Sequence, residues 1–254
     1  MRVSWTKGGD VLEVTEIGGP GHSYHGVVEG YLSVSSSDRS ATRILTGAEV
    51  VVFFGLLASY IWVWKGLFPG DRILVVALYV GIGLETHWRR GESPRQIGFR
   101  LDNLVGFARL AAALLTPVIA VGMAAGHLLG EWAFPSPPTW VASLLWSVAW
   151  GTAQQYGLAC VLYRRMRELL PPRKAMLVSG VIFSLLHLPN PFLVGLTLLM
   201  GVLACYLYER NPNVIGLGLA HGLTSFLLAN SLPGWLTFDW MVGPAILPRV
   251  LQLF

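Results

Sequence analysis

The sequence predicts an all-α membrane protein, a polytopic helical bundle of about seven transmembrane helices with an eighth as the alternative. Of its 254 residues 54% are hydrophobic and only 13% are charged, a composition outside the range of soluble domains. Apolar runs recur that are long enough to cross a hydrocarbon core of about 30 Å. Tryptophans such as Trp62, Trp88 and Trp140 lie near the ends of these runs, where indole rings anchor helices at the lipid headgroups.

The first 43 residues form a polar, glycine-rich leader that has too few apolar residues to bury a core. We therefore predict a flexible cytoplasmic leader over residues 1–43, followed by a transmembrane domain over residues 44–254. His22 and His25 lie close together in the leader. Two histidines without a third ligand do not predict a metal site.

The predicted spans begin with an apolar run that ends before a Pro69-Gly70 turn. A shorter second span leads into a basic loop, and a loop with three prolines separates the third span from the fourth. Prolines at 189 and 191 end the fifth span, and the polar turn 209–213 separates the sixth from the seventh. In order, the seven spans cover residues 44–67, 73–86, 105–129, 140–162, 175–188, 192–208 and 214–228.

The carboxy-terminal tail beyond residue 228 is apolar but is interrupted by Gly243, Pro244 and Pro248. These interruptions predict an interfacial or half-crossing tail, and an eighth span is the alternative.

The distribution of basic residues predicts the orientation. With seven spans, fourteen of the eighteen lysines and arginines fall on the side of the amino terminus. The positive-inside rule places that side in the cytoplasm. We predict an integral protein of the bacterial cytoplasmic (inner) membrane with a cytoplasmic amino terminus.

Composition and spacing argue against several other classes of protein. The basic residues lie in short loops and are not interleaved with exposed aromatics, so we predict no nucleic-acid partner. Cys160 and Cys205 lie in apolar runs without zinc-type spacing, which predicts small core residues and leaves a disulfide open. No cofactor and no metal are predicted, because His187 and His221 supply only two good ligands and a catalytic zinc site uses three.

Five polar residues within the apolar runs form the candidate site: Gln154, Gln155, His187, His221 and Ser225. Ionisable groups in hydrocarbon are costly, so such histidines indicate a functional site. His221 and Ser225 are four residues apart and share one helix face. The alternative is that these residues only join packed helices through hydrogen bonds.

Three motifs on these helices resemble the CPBP family of intramembrane proteases, which includes the type II CAAX prenyl proteases. Members carry EExxxR, FxxxH and HxxxN, or a variant of the last, on three successive helices. The matching residues here are Gln154-Gln155 with Ala159, Phe183 with His187, and His221 with Ser225. The resemblance covers about residues 90–228.

The resemblance implies an endopeptidase of the CAAX-protease type that cleaves a membrane-associated peptide or protein, with an altered active site. In the family a glutamate activates the attacking water, whereas Gln154 and Gln155 cannot act as a general base. The base would then be His187 or His221, or one of the carboxylates Glu49 and Glu85, which otherwise suit the membrane interface.

Two other functions stay open at this point. A catalytically inactive CPBP-like scaffold or immunity protein would bind a membrane peptide without cleaving it. A bis-histidine haem protein would use His187 and His221 as axial ligands. In each case the lipid bilayer is a partner, and the sequence does not indicate the oligomeric state.

Overall fold

The computed structural model describes residues 36–130 and 137–252, with side chains in 42–130 and 139–252. All five residues of the candidate site lie in one compact unit, Ser40–Phe254. Over the described ranges the chain forms helices, turns and loops and contains no strand, so the predicted all-α class is confirmed. Most of the predicted leader, including His22 and His25, lies outside the described residues.

Each predicted span coincides with a helix of the structure. The principal helices are α1 (Ser36–Ser59), α2 (Asp71–Arg89), α3 (Leu104–Leu128), α4 (Pro137–Gln155), α5 (Arg164–Leu169), α6 (Pro172–Leu185), α7 (Pro191–Arg210) and α8 (Val214–Ala229). A π-helical turn, Tyr60–Trp64, extends α1. A longer π-helical segment, Tyr156–Tyr163, joins α4 to α5. Helix α1 begins at Ser36, before the predicted start at residue 44, because no helix-breaking residue separates the polar stretch from the apolar run.

Three helical stretches are long and apolar enough to cross a membrane: Thr42–Trp64, Leu104–Leu128 and Pro191–Arg210. Helix α8 is apolar but shorter. The tail contains only short helical pieces over its described residues, which include α9 (Gly234–Thr237) and α10 (Leu247–Leu251). Since a span needs about 20 residues, none of these pieces forms the alternative eighth helix.

Asparagine caps fix where α7 and α8 begin. The Asn190 side-chain oxygen accepts from the backbone N–H of Leu193 at 3.0 Å, and Asn213 accepts from that of Gly216 at 2.7 Å. Both bonds satisfy amides that a helix start leaves without a partner. The Asn190 amide also donates to the Thr237 carbonyl at 2.9 Å. This bond ties the tail to the start of α7.

Glycines allow α4 and α8 to approach closely. A Cβ on Gly222 would lie 2.7 Å from the backbone nitrogen of Val148, and one on Gly218 would lie 2.8 Å from the Thr152 Cα. Small residues at such crossings let membrane helices pack backbone to backbone. This contact carries α8, and with it His221, onto the face of α4.

The buried centre of the bundle is the π-helical segment Tyr156–Tyr163, all of whose residues are buried. Phe53 of α1 and Phe107 of α3 belong to the same core. Cys160 and Cys205 are buried free thiols, which confirms their prediction as core residues. The Cys160 thiol donates to the Ile97 carbonyl at 3.0 Å.

Candidate active site

Gln155 and His221 meet between α4 and α8. Gln155 is the last residue of α4 and is only 3% exposed. Its side-chain nitrogen Nε2 lies 2.8 Å from His221 Nδ1. The side-chain oxygen Oε1 is buried and has no hydrogen-bond partner among the described residues, so the amide holds the imidazole and keeps one acceptor unused.

His187 lies just after α6 and is held by the residue one turn before it. Its Nδ1 donates to the Phe183 carbonyl at 2.9 Å, and the two rings pack at 5.0 Å between centroids. The FxxxH spacing therefore orients the imidazole through one backbone bond and one aromatic contact.

Gln154 and Ser225 are more loosely placed. Both are half-buried, and neither forms a hydrogen bond to another described residue. Gln154 is rotated by about 100° from Gln155 around the helix axis, so only Gln155 reaches His221. Ser225 lies one turn beyond His221 on α8. Ala159, at the position of the family's arginine, is fully buried within the π-helical segment.

A second polar group of residues, which the sequence did not predict, surrounds Arg165. This guanidinium is 0% exposed and lies 2.8 Å from Glu92, 3.0 Å from Glu168 and 3.2 Å from Glu49. Glu49 belongs to α1, Glu92 follows α2, and Glu168 belongs to α5. We call these residues, with Arg90, Arg164 and His87, the Arg165 cluster.

The remaining members of the Arg165 cluster complete the pairing of its carboxylates. Arg90 binds Glu49 at 2.8 Å and Glu168 at 2.7 Å, while Arg164 and His87 bind Glu92. Burial alone would raise the pKa of Glu92, but bonds from His87, Arg165 and Arg164 lower it far below its usual range.

The local signal for this cluster is the spacing of Arg165 and Glu168, three residues apart on α5. The other contacts join residues far apart in the chain, and no local pattern reveals them.

The two carboxylates considered as substitute bases are both engaged elsewhere. Glu49 is held by Arg90 and Arg165. Glu85 is bound by Arg89 at 2.7 Å, and both side chains of that pair are substantially exposed. Because the printed partners of both carboxylates are arginines outside the Gln155–His221 site, the contacts favour a histidine base.

Two clefts of substantial volume lie outside the Gln155–His221 site. One, of about 350 Å³, is bordered by Glu92, Arg164 and Glu209. The other, of about 740 Å³, lies between α1 and α2 and is bordered by Leu45, Val52 and Ile82 among others. Among the described residues, no group of three or more His, Cys, Asp or Glu side chains is placed to hold a metal ion.

Comparison with protein families gives a match over part of the chain. Residues 136–227 match the family described as type II CAAX prenyl endopeptidase Rce1-like. The matched segment runs through α4, α6, α7 and most of α8, and it includes Gln155, His187 and His221. Searches of curated proteins and of solved structures return no significant match. The match confirms, for residues 136–227, the resemblance in the motifs, and the helices long enough to span a bilayer agree with an integral membrane protein.

Proposed function

We propose that this protein is an intramembrane endopeptidase of the CAAX-protease type, with an altered active site, that cleaves a membrane-associated peptide or protein. The observation that carries the proposal is the contact of Gln155 Nε2 with His221 Nδ1 at 2.8 Å, in a matched segment whose FxxxH motif also holds His187 against the Phe183 carbonyl. The protein would lie in the bacterial inner membrane with its amino terminus in the cytoplasm, as the basic residues predict.

Hydrolysis of a peptide bond needs a proton acceptor for water and a donor for the carbonyl oxygen. One neutral histidine takes a proton from water, and the water oxygen bonds to the carbonyl carbon. The C–N bond then breaks, and the leaving amine takes the proton from the imidazolium. The second histidine donates to the carbonyl oxygen, and Ser225 adds a further hydrogen bond.

The test is cleavage of membrane-presented peptides by the purified protein in lipid nanodiscs. We expect His187→Ala and His221→Ala each to lower the rate by about 10²-fold to 10⁴-fold, the usual contribution of acid–base groups. His127→Ala, at an exposed position near the end of α3, is the matched control and should retain the wild-type rate. Cleavage that survives in the His187→Ala/His221→Ala double variant would overturn the proposal.

The second candidate is a catalytically inactive scaffold or immunity protein that binds a membrane peptide. It is favoured by the amide at position 155 and by the unpaired acceptor Gln155 Oε1, which suits a peptide N–H. This candidate predicts that a photo-crosslinking peptide labels the protein and is recovered intact. The haem alternative has a separate test, because bis-histidine haem would give the purified protein a strong visible absorbance.

A further inference from the structure

We propose that the cleft between α1 and α2 binds one phospholipid of the cytoplasmic leaflet, with a phosphatidylethanolamine headgroup on Glu85 and Arg89. The cleft lies outside the Gln155–His221 site, and lipid binding there does not depend on the proposed peptidase function. Three features of the cleft identify the lipid: its length, its apolar walls and the two charges at one end.

The length of the cleft matches one leaflet of a bilayer. Its wall on α1 includes Leu45 and Val52, and its wall on α2 includes Gly81 and Arg89. Gly81 and Arg89 are eight residues apart, which is roughly 12 Å along a helix. One half of a hydrocarbon core is about 15 Å thick. In the predicted topology Arg89 lies at the cytoplasmic end, so the cleft extends from the headgroups towards the middle of the membrane.

The apolar walls are concave and uncovered. Behind the cleft the buried rings of Phe53 and Tyr79 join α1 to α2, with their centroids 5.6 Å apart. In front of it Leu45 and Val52 are 64% and 57% exposed. In a bilayer such side chains contact acyl chains. A chain inside the cleft contacts both helices at once, which distinguishes it from a lipid that only touches a convex surface.

Glu85 and Arg89 supply one charge of each sign at the cytoplasmic end of the cleft. Arg89 Nε donates to Glu85 Oε1 at 2.7 Å, and the two side chains are 71% and 46% exposed, respectively. Among the described residues neither side chain has a second hydrogen-bond partner. The two Nη groups of Arg89 can therefore bind a phosphate, and Glu85 Oε2 can accept from an ammonium group.

The other two charged residues that border the cleft are already paired. Arg90 binds Glu49 at 2.8 Å and Glu168 at 2.7 Å. The two glutamates and two arginines at the border of the cleft have no net charge. A zwitterionic headgroup therefore suits this end of the cleft better than an anionic one.

The chemistry of the headgroup separates three common phospholipids. Phosphatidylethanolamine carries a phosphate for Arg89 and an ammonium with N–H donors for Glu85. Phosphatidylcholine has the same charges, but its quaternary ammonium has no N–H to donate. Phosphatidylglycerol has the phosphate and no cation, so the Glu85 carboxylate would lie near a net negative headgroup without a partner. Only the first of these three lipids satisfies both side chains.

The experiment is native mass spectrometry of the full-length protein, freed of lipid in detergent and titrated with the dioleoyl forms of these three lipids. We expect the lowest Kd for phosphatidylethanolamine. Glu85→Gln should weaken binding of this lipid alone, whereas Arg89→Met should weaken binding of both phosphatidylethanolamine and phosphatidylglycerol. Each change should raise Kd by about threefold to tenfold, as for one charge-assisted hydrogen bond at a partly exposed site. Arg95→Met, which removes an exposed arginine paired with Asp102 outside the cleft, is the matched control.

A second pair of variants tests the acyl chain. Gly81 and Gly55 are both exposed, and a Cβ on either has no described atom within 4 Å. Only Gly81 borders the cleft. Gly81→Phe should fill the cleft and raise the Kd of phosphatidylethanolamine by about tenfold or more, because two buried methylenes contribute about that much. Gly55→Phe should keep the wild-type Kd.

Three results would overturn the inference. Equal binding of the three lipids by the wild type would show annular lipid only. Tighter binding of phosphatidylglycerol than of phosphatidylethanolamine would contradict the headgroup assignment. A dimer of the wild-type protein that Gly81→Phe dissociates would show that a second copy of the chain occupies the cleft. The first two results need no variant, so the test holds even where a substituted protein does not fold.

Discussion

The two polar regions of this molecule, the Gln155–His221 site and the Arg165 cluster, differ in charge. The Gln155–His221 site joins an amide to an imidazole and, among the described side chains, contains no carboxylate or guanidinium. The Arg165 cluster brings three arginines and three glutamates into contact. In the predicted topology the cluster lies at the cytoplasmic ends of the helices, and the histidine site lies deeper.

The difference follows from the cost of charge in hydrocarbon. A neutral hydrogen-bonded pair tolerates the bundle interior, whereas a buried ion needs partners that neutralise it fully. Gln155 and Ala159 carry no charge, so they need no neutralising partner in the bundle interior. Around Arg165, the shared carboxylates neutralise the buried guanidinium. We therefore expect stability to depend on the cluster and chemistry to depend on the neutral site.

The largest effect is expected for Arg165→Met, which removes the cation shared by Glu49, Glu92 and Glu168. Breaking a buried pair from one side costs about 3–5 kcal/mol, because unpaired charge remains. The measurement is the midpoint of denaturant unfolding in detergent, with Arg165→Lys as the matched variant that keeps the charge. An unchanged midpoint in Arg165→Met would show that the cluster does not hold the helices together.

The next effect tests the packing that supports the neutral site. Gly222→Ala places a methyl against the Val148 backbone, and overpacking of this kind costs about 1–3 kcal/mol. Gly195→Ala, in α7 with no described atom within 4 Å of the new methyl, should have no destabilising effect. An equal loss of stability in Gly222→Ala and Gly195→Ala would argue against a close α4–α8 contact.

The third prediction concerns pH. Because the folded pKa of Glu92 is depressed below the ordinary value of 4.5, Glu92 stabilises the fold above that pH. The stabilisation is lost as the pH falls below it, since the unfolded chain then binds more protons. Glu92→Gln should therefore show a lower stability at neutral pH and a flatter decline below about pH 4.5. Glu85→Gln, the exposed control, should keep the wild-type slope.

The smallest effect is expected for Arg89→Met. The Arg89–Glu85 pair is 71% and 46% exposed, and exposed pairs contribute about 0–1 kcal/mol. The unfolding midpoint should stay close to that of the wild type. If Arg89→Met lowered the free energy of unfolding nearly as much as Arg165→Met, buried and exposed ion pairs would not differ in their contribution to stability.

Much of the fold was predictable because hydrophobic periodicity and proline breaks are local signals. The helix boundaries around Pro191 follow from such signals, and Asn190 and Asn213 are ordinary helix caps. The π-helical segment Tyr156–Tyr163 was not predicted, because it depends on how the surrounding helices pack. Its apolar sequence is equally suited to an α-helix.

The sequence named the residues of the candidate site but did not predict their contacts. The motifs indicated Gln154 and Gln155 together, and only the helix rotation shows that Gln155 bonds His221. The catalytic roles of Gln154, Gln155, His187, His221 and Ser225 stay predictions. Pairs such as Arg165 with Glu92 join residues far apart in the chain, so local spacing does not predict them. Only the three-dimensional structure shows these contacts.

The contacts of Glu49 have a consequence for biosynthesis. Helix α1 leaves the ribosome first, yet Arg90 follows Glu49 by 41 positions, and Arg165 is made later still. Until Arg90 has been synthesised, the Glu49 carboxylate has neither arginine as a partner. Thr46 likewise lacks its partner Glu168, which lies 122 residues further along the chain. Arg90 therefore becomes available to Glu49 before Arg165, which follows the fourth predicted span in the chain. The order of translation thus allows α1 to pair with the end of α2, through Glu49 and Arg90, before Arg165 is made.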